Sequence, residues 1–115
     1  LVAAATAAPP CFFLGTDSAP HPDADKEAAC GCAGCYTAPV ALPVLAEVFD
    51  RAGALDRLER FASLNGAAFY GLAPNAATVT LERGPPLPRP GRLPAGEAGV
   101  TVFDPGFPLH WQVLR

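Results

Sequence analysis

The side chains able to do chemistry gather in residues 17–35: Asp17, His21, Lys26, Glu27 and the run Cys30-Gly31-Cys32-Ala33-Gly34-Cys35. A carboxylate such as Asp17 can bind a metal ion or move a proton. An ordinary loop aspartate bonded to nearby amides suits the same position. His21 can ligate a metal or hold an anionic substrate, and a solvent-facing imidazole fits equally well. In a loop, the spacing of Asp17 and His21 permits convergence without requiring it. Cys30, Cys32 and Cys35 can hold zinc with Cys11 or His21 as a fourth ligand. Structural zinc sites generally show two separated ligand pairs, and here there is one cluster. A disulfide between such close neighbours is strained. In the other reading, glycine and small side chains allow a tight backbone path whose amides face a ligand. Lys26 and Glu27 are either part of a site or an exposed pair of little energetic weight. His110 and Trp111 read as packing residues.

These residues need elements to hold them. Leu1–Ala8 is alanine-rich and reads as the end of a helix stopped by Pro9 and Pro10. Cys11-Phe12-Phe13-Leu14 is a continuous apolar run, the pattern of a strand buried on both faces of a parallel sheet. Gly15-Thr16-Asp17-Ser18 follows it. Helix, buried strand and polar loop in this order are the rhythm of an α/β fold. Asp17 then lies just past the carboxyl end of a parallel strand, where ligand sites of such sheets and barrels form. Residues 18–39 read as a long loop, which in a compact protein is functional or disordered. A helix is expected from Thr37 or from Pro43, with Val44, Leu45, Val48, Phe49 and Ala52 on its inner face and Gly53 as its stop. A second helix is expected from Leu55, with Leu58, Phe61 and Ala62 inward and Arg57, Glu59 and Arg60 outward. Asn65-Gly66 ends it, and Asn65 is a candidate cap for a further short turn. Thr78–Glu82 alternates as a strand does; residues 100–103 and 109–114 are weaker strand candidates.

The 115 residues hold 14 Pro and 11 Gly, concentrated between Gly84 and Gly99. That stretch reads as an extended loop or mobile linker, since proline removes donors and fixes φ. The net charge of −3 argues against a nucleic-acid surface. No run of 18 apolar residues is present, so no membrane span is expected. The opening lacks the basic start of a secretory signal, and four cysteines in such a sequence suit a reducing compartment. Methionine is absent and the chain starts at Leu1, so a piece of something longer is expected.

The segment FFLGTDSAPH (residues 12–21), followed by KEAACGCAGCYTAPVAL (residues 26–42), resembles the carboxyl-terminal part of class II dihydroorotase, in the amidohydrolase superfamily. FASLNGAAFYGL (residues 61–72) and the region of Trp111 extend the likeness to nearly the whole chain outside residues 84–99. GTDSAPH joined to CGCAGC at this spacing is highly specific. The resemblance implies the last strand, last barrel helix and terminal extension of a TIM-type (β/α) barrel. Residues 1–83 would belong to the barrel, 84–99 would be a loop and 100–115 an extension. It implies reversible, metal-dependent hydrolysis of dihydroorotate to N-carbamoyl-aspartate in pyrimidine synthesis, with two zinc ions. By motif, Asp17 is a metal ligand and the proton shuttle, His21 contacts the substrate carboxylate, and the backbone amide of Ala33 helps hold that substrate. A cytoplasmic homodimer is implied, or an organellar one in plants and algae, acting on a small molecule without nucleic acid or membrane.

The family's His-x-His pair, carbamylated lysine and two further histidines are absent from these residues, and a full barrel takes about 250 residues. The chain alone is therefore expected to be inactive. The alternative is a small non-catalytic module that binds zinc through Cys30, Cys32 and Cys35. It leaves the two-faced apolar character of Phe12–Leu14 without a reason.

Overall fold

A computed structural model describes residues 1–114; Arg115, the last residue of the expected extension, lies outside them. Helix α1 (Val2–Ala7) ends where expected, with Ala8 in the left-handed region (φ 43°) ahead of Pro9. A single turn, α2 (Asp23–Lys26), interrupts the long loop. Helix α3 (Ala41–Arg51) starts between the two expected positions. Pro43 sits in its first turn, where a missing N–H costs no intrahelical bond. Gly53 (φ 64°) follows as the expected stop.

Residues 55–69 form one helical stretch of changing pitch. It opens with a 3-10 turn (Leu55–Arg57), passes through a π turn (Arg60–Leu64) and ends as helix α4 (Asn65–Phe69). In the π turn the Asn65 N–H bonds the Arg60 carbonyl, five residues back. The expected stop at Asn65-Gly66 is thus corrected: the helix runs through both. Asn65 is buried and makes no cap bond. Its Nδ2 instead donates to the carbonyls of Pro9 (3.1 Å) and Phe12 (2.9 Å), with Ala8 at 3.5 Å.

The strands are short and antiparallel. β1 (Leu81–Arg83) pairs with β4 (Trp111–Val113), in register Glu82 to Gln112. β2 (Arg92–Ala95) pairs with β3 (Ala98–Thr101) as a hairpin. A strand at 92–95 corrects the reading of residues 84–99 as loop or linker. β2 is an edge strand, which tolerates Pro94. The run Cys11–Leu14 is not a strand either. A strand exists only where a neighbour completes its ladder, and among the described residues its one tie of this kind is Leu14 N–H to the Phe61 carbonyl, 3.0 Å. No barrel is present among the described residues; the chain is a small α/β arrangement.

The core lies between α3, the 55–69 helix and the β1–β4 pair. Ala46, Phe49, Ala54 and Leu58 are buried, with Phe61, Leu81 and Trp111 packed around them. The Phe49 and Phe61 rings are 5.5 Å apart. The expected inner face of α3 is shifted: Ala46, Glu47 and Phe49 are buried, Val44, Leu45 and Val48 are half-buried, and Ala52 is exposed. Val44 and Leu45 face a shallow apolar hollow of about 150 Å³ shared with Leu14 and Phe103. The radius of gyration, 15.7 Å, exceeds the roughly 13 Å of a compact domain of this length. Phe12, Phe69, Tyr70 and Leu72 stay exposed.

Candidate functional site

Asp17 takes a left-handed backbone conformation, φ 42°, which few side chains other than Asn and Asp accept readily. Backbone held in such a region clusters at functional sites. The Asp17 side chain is exposed and makes no hydrogen bond among the described residues. The amide-bonding role of an ordinary loop aspartate falls instead to its neighbour. Ser18 Oγ accepts the N–H groups of Thr37 (3.1 Å) and Ala38 (2.9 Å). Ala19 N–H donates to the Cys35 carbonyl at 2.9 Å. The loop of Asp17 is thereby sewn to the chain leaving the cysteine run. His21, exposed, follows Pro20, with its N–H bonded back to Ala19 at 3.0 Å.

The second wall of the site is residues 30–35. Gly31 (φ 45°) and Gly34 (φ 96°) bend it. A Cβ on Gly34 would lie 2.7 Å from the Ala19 Cβ and 3.9 Å from the Asp17 carbonyl oxygen, so only glycine lets the two loops touch. Lys26 Nζ donates to the Gly34 carbonyl and lies 3.5 Å from that of Cys32. Lys26 is thus not the exposed partner of Glu27. The Ala33 N–H between these carbonyls has no partner among the described residues. Asp17, His21 and Ala33 therefore stand on two loops joined by Ser18, Ala19 and Gly34. The glycines of the run already suggest a tight backbone path; residue types alone do not mark Ser18 and Ala19 as joining residues.

Cys11, Cys30, Cys32 and Cys35 are free and exposed. Among the described residues no group of three or more His, Cys, Asp or Glu could hold a metal ion. The alternative of a zinc module built on the cysteine run therefore has no support among these residues, and Asp17 offers one carboxylate without companions. These residues do not build a metal site by themselves.

His110 and Trp111 do more than pack. Glu47 on α3, with its side chain 6% exposed, accepts from the His110 N–H (3.0 Å) and from Arg51 (2.9 Å), and meets His110 Nδ1 at 3.2 Å. Burial pushes the Glu47 carboxyl up; the His110 N–H and the Arg51 and His110 side chains outweigh it and hold it below its ordinary value. One turn on, Asp50 accepts from Trp111 Nε1 and Arg83, each at 3.2 Å. Two carboxylates of α3 thus fasten β4 and its partner strand. Asp23 of α2 is held below its ordinary range by Arg92 and the Thr101 N–H, tying α2 to the hairpin.

No protein-family model matches the chain. A dihydroorotase of Ruegeria pomeroyi is 65% identical over 115 residues, all of this chain and 33% of that protein. One from Cereibacter sphaeroides is 62% identical over 110 residues, covering 96% and 32%. Among solved structures, a Saccharomyces cerevisiae dihydroorotase in complex with 5-fluoroorotic acid superposes with a TM-score of 0.78 at 33% identity, covering 99% of this chain and 33% of that one. A Campylobacter jejuni dihydroorotase gives 0.77 at 32% identity, covering 96% and 32%. The chain spans about a third of the length of the relatives it matches.

Proposed function

Because the chain is related over its whole length to the dihydroorotases, we propose that it is the carboxyl-terminal third of one, completed by the rest of a (β/α) barrel. Residues 1–83 contribute to that barrel, 84–99 form a Pro/Gly-rich connection that carries β2 and 100–115 form an extension, in a cytoplasmic homodimer. The whole enzyme interconverts dihydroorotate and N-carbamoyl-aspartate. One observation carries this reading: the loops of Asp17-Ser18-Ala19 and Cys32-Ala33-Gly34-Cys35 are joined, one bearing a carboxylate and the other an amide that have no hydrogen-bond partner among the described residues.

Hydrolysis of the cyclic amide needs a group that takes a proton from the attacking water and returns it to the departing ring nitrogen. A single carboxylate can do both in turn. Among the described residues the Asp17 carboxylate is unpaired for that task, on a loop held by Ser18 Oγ and the Ala19 N–H. His21 and the Ala33 N–H suit the substrate's carboxylate, since hydrogen bonds to an ionised acceptor are strong. In this reading Asp17 is also a ligand of a two-zinc centre whose other ligands come from the remainder of the barrel.

The test is Asp17→Asn in the full-length protein. Asparagine accepts the same backbone conformation but cannot take up a proton. Dihydroorotate hydrolysis by the wild type and at least a thousandfold loss in the variant are expected, with the fold intact by circular dichroism. Wild-type turnover in the variant would remove Asp17 from the mechanism; an inactive wild type would remove the function.

A further inference from the structure

We propose that Lys26 is a positioning residue that aims the Ala33 N–H at the substrate carboxylate. The inference rests on the proposed dihydroorotase reading and adds to it a residue outside the groups that touch substrate.

The geometry begins with one peptide unit. The Cys32 carbonyl and the Ala33 N–H belong to the same planar trans amide, so they point in opposite directions. Lys26 Nζ lies 3.5 Å from the Cys32 carbonyl and donates to the Gly34 carbonyl. Holding the Cys32 oxygen toward Lys26 turns the Ala33 N–H away from it, toward the open side of the loop. The Gly34 bond acts on the peptide plane after next, so one ammonium reaches the carbonyls on both sides of Ala33.

The Cys32 N–H bonds the Asp25 carbonyl at 3.3 Å and the Cys35 carbonyl accepts from Ala19 at 2.9 Å, so the two ends of the segment have other ties and the Ala33 peptide between them has none among the described residues. Gly31 and Gly34 flank it in left-handed conformations, and glycine is the residue with most backbone freedom to lose. Ala33 is exposed and makes no backbone hydrogen bond among the described residues. Among those residues no carboxylate pairs with Lys26, so its charge is directed at the two carbonyls. Lys26 is itself anchored. It ends α2, whose Asp23 grips Arg92 at 2.7 Å and the Thr101 N–H at 2.8 Å. The hairpin thus braces α2, α2 carries Lys26, and Lys26 orients the amide.

The experiment uses the full-length enzyme with Lys26→Met, which keeps the aliphatic stem and removes the donors, and Lys26→Arg, which keeps the charge. Dihydroorotate turnover, 5-fluoroorotic acid affinity and thermal unfolding are measured for all three proteins. In Lys26→Met, KM for dihydroorotate and Kd for 5-fluoroorotic acid should rise about tenfold, ~1.4 kcal/mol, the scale of one misaimed bond to a charged group. Its kcat should stay within about twofold, the signature of lost uniform binding, and its unfolding temperature should not move. Lys26→Arg should recover most of the affinity. An active wild type with unchanged KM in Lys26→Met overturns this inference and leaves the function standing. Equal loss of kcat, KM and unfolding temperature in both variants assigns Lys26 to the fold alone, and also overturns it. A wild type inactive on dihydroorotate overturns the function and this inference with it.

Discussion

Glu47→Gln removes a charge from a buried position while keeping its shape. The carboxylate serves the His110 N–H, the His110 ring and Arg51 with two oxygens. A Gln amide has one oxygen, and its NH2 must face a donor. Arg51, with its side chain 49% exposed, can turn to water, so the oxygen is expected to stay with His110. Each bond to a charged group exceeds a neutral one by roughly 1 kcal/mol, and the loss of the Arg51 pair adds about 0.5 kcal/mol. Over the two His110 bonds and this pair the loss comes to about 2.5 kcal/mol. The loss falls on the docking of residues 109–114 rather than on the whole molecule. The amides of His110, Gly84, Leu87 and Leu114 depend on that docking, through bonds of 2.7–3.0 Å. Hydrogen exchange on the full-length protein should accelerate at those amides by about 70-fold, at 1.36 kcal/mol per tenfold. The pH dependence has a definite sign. The folded Glu47 value lies below its ordinary 4.5, so its contribution is complete above that pH and fades as pH falls through the folded value. Wild-type protection, corrected for intrinsic exchange, should fall more steeply through that acid range than that of the Gln protein, which keeps the Asp50 carboxylate on Trp111 and Arg83. Acceleration below threefold, or an acid response equally steep in both proteins, would refute the reasoning.

Gly34→Ala forces a Cβ against Ala19 at a left-handed φ; substrate affinity in the full-length enzyme should drop at least tenfold, read from KM. Replacing Cys30, Cys32 and Cys35 together by Ser should leave bound zinc per full-length chain unchanged, measured by elemental analysis, because these exposed thiols form no metal cluster. Asn65→Ala removes the donor shared by the Pro9 and Phe12 carbonyls; a loss of about 2 kcal/mol is expected in urea unfolding.

What the sequence revealed followed from locally determined physics. An alanine run before two prolines makes and ends α1 whatever surrounds it. Gly53 stops α3 because its left-handed φ is a local event. The GTDSAPH and CGCAGC motifs identified the relatives because they are long, specific strings. What stayed hidden depends on partners distant in the chain. Phe12–Leu14 has the composition of an inner strand, yet a ladder needs neighbours. Glu47 is buried by a histidine 63 residues away. Pro94 masked β2 because an edge strand can leave a donor unused. Ser18, which joins the two loops of the site, looks like any other loop serine.

The π turn at Arg60–Leu64 sets a limit on how this stretch can vary. A helix turns by about 100° per residue, so one residue accommodated in a wider loop resets the phase of everything after it. Before the turn, Leu58 faces the core; after it, Asn65 faces the chain at 8–12. Deleting a single residue there would restore an unbroken α-helix and swing Asn65 away from Pro9 and Phe12. The segment that leads into Asp17 would lose its tether though no residue near Asp17 had changed. Spacing, rather than residue identity, is what this part of the chain must conserve: a one-residue deletion among 60–64 is predicted to do more harm than most substitutions there.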